Sequence, residues 1–249
     1  MSYSGEVKAE LEKHISKSRH CQLAELAAII SFSGRMILTG ADPRLEIATE
    51  HAGLAKKCYT LLKRAFDISA ELSEQNPGVL YIEEQDAMRR VLMALKFLEE
   101  DGSLHPLRQT VKGMMLQKSC CRRTVVRGAF QASGSMSDPH KSYHFEIVCA
   151  TPQQAEQLRT VISDFGMDAK VVERKKHHVV YLKEGAQIVD MLNIMEAHVA
   201  LMNLENVRIL KEIRNSVNRQ VNCETDNINK TVNAAVKQIE DIKFIQEKG

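Results

Sequence analysis

Two stretches one hundred residues apart end alike: "ISFSGRM" (Ile30–Met36) and "FQASGSM" (Phe130–Met136). Each closes an apolar run with a hydroxyl residue, Ser33 or Ser133, followed by Gly. A serine becomes a nucleophile only beside an activating base. No paired His/Asp arrangement accompanies either one, so the two are read as small residues at helix ends that let helices approach closely. The six cysteines (Cys21, Cys58, Cys120, Cys121, Cys149, Cys223) form no CxxC. The closest candidate for a zinc site is His140 and His144 with Cys149, but a four-ligand constellation is not readable there. Six are too few for a disulfide scaffold, and the polar start "MSYSGEVKAELEKHISK" lacks an apolar signal region. Free thiols in the cytoplasm are expected, with no metal and no cofactor. His177 and His178 fall in a strand pattern, whose alternation sends them to opposite faces and argues against a shared ion.

The basic residues are unevenly spread. Residues 1–100 hold thirteen Lys+Arg against fifteen Asp+Glu, whereas His105 to Phe145 holds seven (Arg108, Lys112, Lys118, Arg122, Arg123, Arg127, Lys141) against Asp138 alone. Such an excess suits either a polyanion or a solvated basic surface. Arg122 and Arg123 stand near a helix N-terminus, where cations oppose the helix dipole, a placement that an anionic partner explains better than stability does, with loop solvation as the competing account. Arg174, Lys175 and Lys176 precede His177 and are candidates to track phosphates without reading bases.

The elements that must hold these residues follow from an internal repeat. At a gapless offset of one hundred, Cys21 falls on Cys121, Ser33, Gly34 and Met36 on Ser133, Gly134 and Met136, "LEI" (Leu45–Ile47) on "FEI" (Phe145–Ile147), and "VLYI" (Val79–Ile82) on "VVYL" (Val179–Leu182). Each unit of about 80 residues reads helix, strand, strand, helix, strand, strand, helix. "CQLAELAAIISFSG" is apolar on more than one face and should be buried, with Gly34 stopping it in the left-handed cap conformation. "EHAGLAKKCYTLLKRAF" (Glu50–Phe66) is amphipathic, and "QDAMRRVLMALKFLEE" closes the first unit. In the second unit Thr151 is a suitable N-cap, with Pro152 in the first helical position. Short turns make the sheets antiparallel. The class is therefore α+β, with no apolar run long enough for a membrane span.

Beyond His198 the pattern is wholly helical. Leu204, Val207, Leu210, Ile213 and Val217 form one apolar stripe, and Ile228, Val232, Ala235, Ile239 and Ile242 another. Between them, residues 214–233 hold Asn215, Asn218, Asn222, Asn227, Asn229 and Asn233. Asn disfavours helix interiors, so this stretch is a contacting polar face, a break between two helices, or a linker. Arg214, Asn218, Arg219 and Asn222 fall within one polar face of a helix.

Two helix–hairpin–helix–hairpin units, each opened by a buried helix ending in Ser-Gly, resemble the LAGLIDADG homing-endonuclease fold. Leu26–Gly34 ("LAAIISFSG") and Val126–Gly134 ("VRGAFQASG") lie on the motif. The resemblance implies a pseudo-twofold pair of αββαββα units whose helices form the interface and whose sheets make a saddle over DNA. It also implies a metal-binding acid just before each final Gly; Ser33 and Ser133 stand there, and Ser31 and Gln131 at the earlier acidic position. A neutral hydroxyl cannot neutralise a divalent cation, so the fold carries over and the nuclease does not. More closely, "CQLAELAAIISFSGR", "KSCCRRTVVRGAFQASGSMSDP" with "YHFEIV", and above all "RNSVNRQVNCETDNINKTVNAAVKQIEDIKFI" are similar to the WhiA family of bacterial sporulation and cell-division regulators. That likeness implies a non-catalytic DNA-binding transcription regulator, cytoplasmic and nucleoid-associated.

The expected organisation is an N-terminal helix (1–20), two LAGLIDADG-like halves (21–110 and 111–198) and a helical linker (199–249), with the family's helix-turn-helix domain absent. Without that domain, binding of duplex DNA is expected to be weak and insensitive to sequence. The DNA-contact candidates are Arg122, Arg123, Arg127, Lys141, Arg174, Lys175, Lys176, Arg214, Asn218, Arg219 and Asn222. The rivals are a scaffold for regulatory or division proteins without DNA contact, and a nuclease whose acids have moved to Asp42 and Asp138.

Overall fold

The computed structural model describes residues 2–38, 43–107 and 110–248. Its first unit, Met1–Leu204, opens with α1 (Tyr3–Lys13) and continues α2 (Arg19–Ser33), β1 (Gly34–Ile37), β2 (Arg44–Ala48), α3 (Ala52–Phe66), β3 (Glu71–Leu72), β4 (Val79–Ile82) and α4 (Gln85–Ala94). A short 3-10 turn (Gly113–Leu116) leads to α5 (Ser119–Ser133), β5 (Gly134–Met136), β6 (Phe145–Cys149), α6 (Pro152–Ser163), β7 (Lys170–Arg174), β8 (His177–Leu182) and α7 (Gly185–Met195). The sheets have orders β1-β2-β4-β3 and β5-β6-β8-β7, antiparallel throughout. Register also repeats: Gly34 faces Ile47 as Gly134 faces Ile147, and Leu45 faces Ile82 as Phe145 faces Leu182.

Leu45, Ile47, Leu80 and Ile82 bury one face of the first sheet; Phe145, Ile147, Val180 and Leu182 do so in the second. Each half has its own apolar cluster, and α1 contributes Val7 and Leu11 to the second. Between the halves α2 and α5 lie against each other. A Cβ added at Gly128 would come within 2.8 Å of the Glu25 carbonyl oxygen and 3.1 Å of Ala28 Cβ. The seam is thus set by backbone approach at Gly128, where no side chain fits.

Thr151 caps α6 as expected, its hydroxyl accepting from the Gln154 amide at 3.2 Å. The glycine reading needs correction. Gly34 and Gly134 are extended (φ −80 and −84), each the first residue of a strand. A Cβ there would sit 2.6 Å from the carbonyl oxygen of Ile30 or Phe130. Glycine is needed for room at the helix-to-strand bend, with no left-handed turn involved. The helix expected over "QDAMRRVLMALKFLEE" stops at Ala94, and Lys96 takes positive φ (62); the apolar residues that follow turn into a Leu98–Leu104 bridge.

α8 (His198–Lys248) passes from the first unit into the second, Glu205–Gly249. No glycine or proline interrupts Glu205–Lys248, and the Asn-rich stretch is continuous helix. Ile213, Val217, Ile228, Val232, Ile239 and Ile242 are exposed. No helix among the described residues is long and apolar enough to cross a membrane.

Candidate nucleic-acid interface

Each sheet presents its alternate residues on the face away from the core. On the first, Arg35, Glu46 and Tyr81 stand in register. Arg35 Nε donates to Glu46 Oε1 at 2.5 Å, and Arg44 Nη1 to Glu83 at 2.9 Å while its guanidinium lies 4.3 Å from the Tyr81 ring centroid. On the second, Ser135, Glu146, Tyr181 and Lys170 stand in register. Arg174 Nη1 donates to Glu146 Oε2 at 3.1 Å, and His144 Nε2 lies 2.9 Å from the same carboxylate. Glu46 and Glu146 are equivalent under the offset of one hundred, so each of these faces carries a carboxylate paired with its arginine, Glu46 buried beneath Arg35 and Glu146 half-buried.

Lys175 and Lys176 form the β7–β8 turn, exposed, with Lys175 at φ 58. Lys141 is exposed in the β5–β6 connection, its amide on the Asp138 carbonyl oxygen at 2.9 Å. These two sites and Arg174 flank the second sheet. Arg122 and Arg123 do not join them: they lie at the start of α5, ten residues or more before Ser133, roughly 15 Å along the helix. Arg122 bonds the Leu116 carbonyl oxygen at 3.1 Å and reaches Asp164 at 3.8 Å; Arg123 is exposed. Arg214, Asn218, Arg219 and Asn222 are exposed on α8, with Arg219 Nε on the Asn215 carbonyl oxygen at 3.3 Å.

Arg127 must be withdrawn as a contact residue. It is wholly buried in the α2–α5 seam. Its Nε and Nη2 grip Glu25 at 2.9 and 3.0 Å, Nη2 also donates to Ser16 Oγ at 2.8 Å, and Nη1 pairs with Glu196. Lys57, also buried, places Nζ 2.5 Å from Glu25 Oε1, 2.8 Å from the Leu11 carbonyl oxygen and 2.9 Å from Gln131 Oε1. Burial alone would push the Glu25 carboxyl up, but Lys57 and Arg127 together hold it below its ordinary value. Burial pulls Lys57 down, against Glu25. Gln131, at a motif position where the resemblance implies an acid, is committed to this network.

Ser33, the last residue of α2, is buried. Ser133, the last of α5, donates to the Val148 carbonyl oxygen at 2.8 Å. Neither aligns with an imidazole. Asp138 Oδ1 accepts from the His140 amide at 2.9 Å, a local turn contact; Asp42, like Arg108, lies outside the described residues. His144 is engaged with Glu146, and Cys149 is buried with its thiol on the Ile147 carbonyl oxygen at 3.9 Å, so the His140, His144, Cys149 grouping is not a ligand set.

The chain matches the WhiA N-terminal LAGLIDADG-like domain over residues 19–89, the WhiA LAGLIDADG-like domain over 122–214 and the WhiA C-terminal HTH domain over 217–249. A protein described as "Probable cell division protein WhiA" from Lachnoclostridium phytofermentans is 48% identical over 256 residues, covering 99% of this chain and 82% of that one. The chain belongs to the WhiA family. Similarly described proteins of Alkaliphilus oremlandii and Clostridium botulinum are 46% and 41% identical, each over 99% of this chain and 80% and 81% of theirs. The crystal structure of full-length DUF199/WhiA from Thermatoga maritima superposes at a TM-score of 0.70 with 19% identity, over 99% of this chain and 80% of that chain. The homing endonuclease I-DmoI in complex with DNA and Mn superposes at 0.52 with 11% identity, over 72% and 98%. At such identities these structures establish the fold alone: α+β, LAGLIDADG-like, with two antiparallel sheets. The match over 217–249 overturns the expectation that the helix-turn-helix part is absent. No recognition-helix unit is evident in the residues themselves, since 217–248 contain neither glycine nor proline to mark a turn.

Proposed function

We propose that this WhiA-family chain is a non-catalytic, DNA-binding transcription regulator that acts in cell division and sporulation, in the cytoplasm at the nucleoid. The observation that carries the reading is similarity along 99% of the chain to proteins described as cell-division WhiA, together with the HTH-domain match at residues 217–249. Residues 21–110 and 111–198 serve as two LAGLIDADG-like halves after an N-terminal helix (1–20), and 199–249 includes the segment 217–249 that matches the HTH domain. Lys141, Arg174, Lys175 and Lys176 contact phosphates at the second sheet. Arg122 and Arg123 form a separate basic site, and Arg214, Asn218, Arg219 and Asn222 contact DNA from α8. Ser33 and Ser133 supply no charge for a metal at a scissile phosphate, which supports binding without cutting.

Binding of labelled duplex to the full chain tests this across a salt series. Affinity should fall steeply with salt, and replacing Arg174, Lys175 and Lys176 by Glu should weaken it and flatten that slope. Supercoiled plasmid should remain unnicked with Mg²⁺ or Mn²⁺. A second reading, a protein-interaction scaffold, draws on the pairing of Arg35 with Glu46 and of Arg174 with Glu146, which leaves the open faces less cationic than the sequence suggested. Absence of any duplex binding at low salt decides for the scaffold.

A further inference from the structure

His20 and Cys21 lie in the first turn of α2, and Cys120 and Cys121 in the first turn of α5. The two pairs are equivalent under the offset of one hundred, and the side-by-side packing of α2 and α5 brings them together. One ligand atom from each of the four residues lies within 4.8 Å of the other three. His20 Nδ1 is 3.2 Å from Cys121 Sγ and 3.3 Å from Cys21 Sγ. Around a tetrahedral zinc ion, bond lengths near 2.3 Å to sulfur and 2.0–2.1 Å to nitrogen put ligand atoms about 3.6–3.8 Å apart. The donor atoms are therefore within a few tenths of an ångström to about one ångström of that arrangement.

We propose that His20, Cys21, Cys120 and Cys121 form a structural Zn²⁺ site that staples the two halves together at the start of the α2–α5 seam. Three thiols and an imidazole are a soft donor set that selects Zn²⁺ over the hard cations. The other described core cysteines, Cys58 and Cys149, are buried within separate halves, where a thiol simply packs as a small apolar group. These three thiols instead crowd one imidazole. Burial first, and then the crowding of neighbouring thiols, raises Cys21 and Cys121 above the ordinary thiol value, so the thiolates form together with the Zn–S bonds. Cys21 and Cys121 are buried whereas Cys120 is exposed and, with Cys21, lines a pocket of about 350 Å³, giving the ion an entry path. Four protein ligands leave no open position for water or substrate, so the ion holds structure and does no hydrolysis. On binding, three S–H bonds break, three Zn–S bonds and one Zn–N bond form, and three protons go to solvent.

The full chain, purified under reducing conditions, is tested by elemental analysis and by Co²⁺ titration, with Cys223→Ala as a remote control. Expected are one zinc per chain, thiolate-to-cobalt charge-transfer absorption displaced by Zn²⁺, and a Tm that a chelator lowers. Cys120→Ser, at an exposed position, should keep the fold by circular dichroism yet lose at least roughly tenfold in Zn²⁺ affinity, and its Tm should no longer respond to chelator. The proposal is overturned by a metal-free chain that gives no cobalt charge-transfer band, by Cys120→Ser binding Zn²⁺ as tightly as the parent, or by a thiol count showing a disulfide within the cluster.

Discussion

Replacing Glu25 by Gln tests the buried seam with almost no change in volume. The Glu25 carboxylate accepts three charge-assisted hydrogen bonds, from Lys57 Nζ, Arg127 Nε and Arg127 Nη2. The amide introduced by Glu25→Gln could still accept through its oxygen, but its NH₂ would face the Arg127 Nη2 donor. Arg127 would keep Glu196, while the Lys57 ammonium would be left with neutral oxygens alone, those of the new amide, Leu11 and Gln131. Breaking a buried pair from one side costs about 3–5 kcal/mol, so Glu25→Gln should lower stability by that much. Urea unfolding of the full chain should show it as a lower midpoint at unchanged slope. Adding Lys57→Met removes the stranded ammonium and should recover part of the loss. The pH dependence has a definite sign. Because the folded Glu25 carboxyl lies below its ordinary value of 4.5, its contribution is complete above that value and is lost as pH falls through the folded value. Wild type should therefore lose stability below about pH 4.5, and the Gln variant should lack that component. A Glu25→Gln variant within about 1 kcal/mol of wild type would refute the reasoning, since the median surface pair is worth no more; so would a double variant no more stable than the single one.

Three further outcomes follow from the geometry. Gly128→Ala should cost about 1–3 kcal/mol by overpacking despite the better helix propensity of Ala, read as a lower thermal midpoint, because the seam has no space for a Cβ. Glu46→Gln with Glu146→Gln should raise affinity for random duplex and steepen its salt dependence, measured by fluorescence anisotropy, since Arg35 and Arg174 are freed for phosphate; unchanged binding would exclude the open faces. Glu10 accepts from the amides of Val199 and Ala200 at 2.8 and 3.0 Å, so Glu10→Ala should cost about 1 kcal/mol, as lost N-caps do, and speed hydrogen exchange at those two amides.

The α2 and α5 helices and the antiparallel character of both sheets were legible because small-residue runs, alternation and turns are local signals, and the repeat doubled each of them. Arg127 was not. It follows Arg122 and Arg123 in a basic run, and nothing local announces Glu25 and Lys57, which lie 102 and 70 residues away in sequence. One clue existed: the offset of one hundred puts Arg127 on Ala27, a residue of the buried helix. The His20, Cys21, Cys120, Cys121 cluster escaped for a similar reason. Zinc spacings are sought within a loop, whereas these pairs meet only through helix packing, and the Cys21–Cys121 match read simply as a mark of repetition. In residues 214–233 the Asn content argued against a helix, yet the absence of glycine and proline left nothing to break one.

Glu46 and Glu146 bear on how such a molecule would divide its time in a cell. A broad face of unopposed arginines would be titrated by bulk chromosome, whose non-specific sites outnumber any target by about 10⁶–10⁹. If the sheets contact DNA as proposed, one carboxylate per sheet would lower that background adhesion on both halves at once. The free fraction available to partners would then be set by two acidic residues that touch no ligand, and their loss would trap the protein on DNA at large without altering its fold.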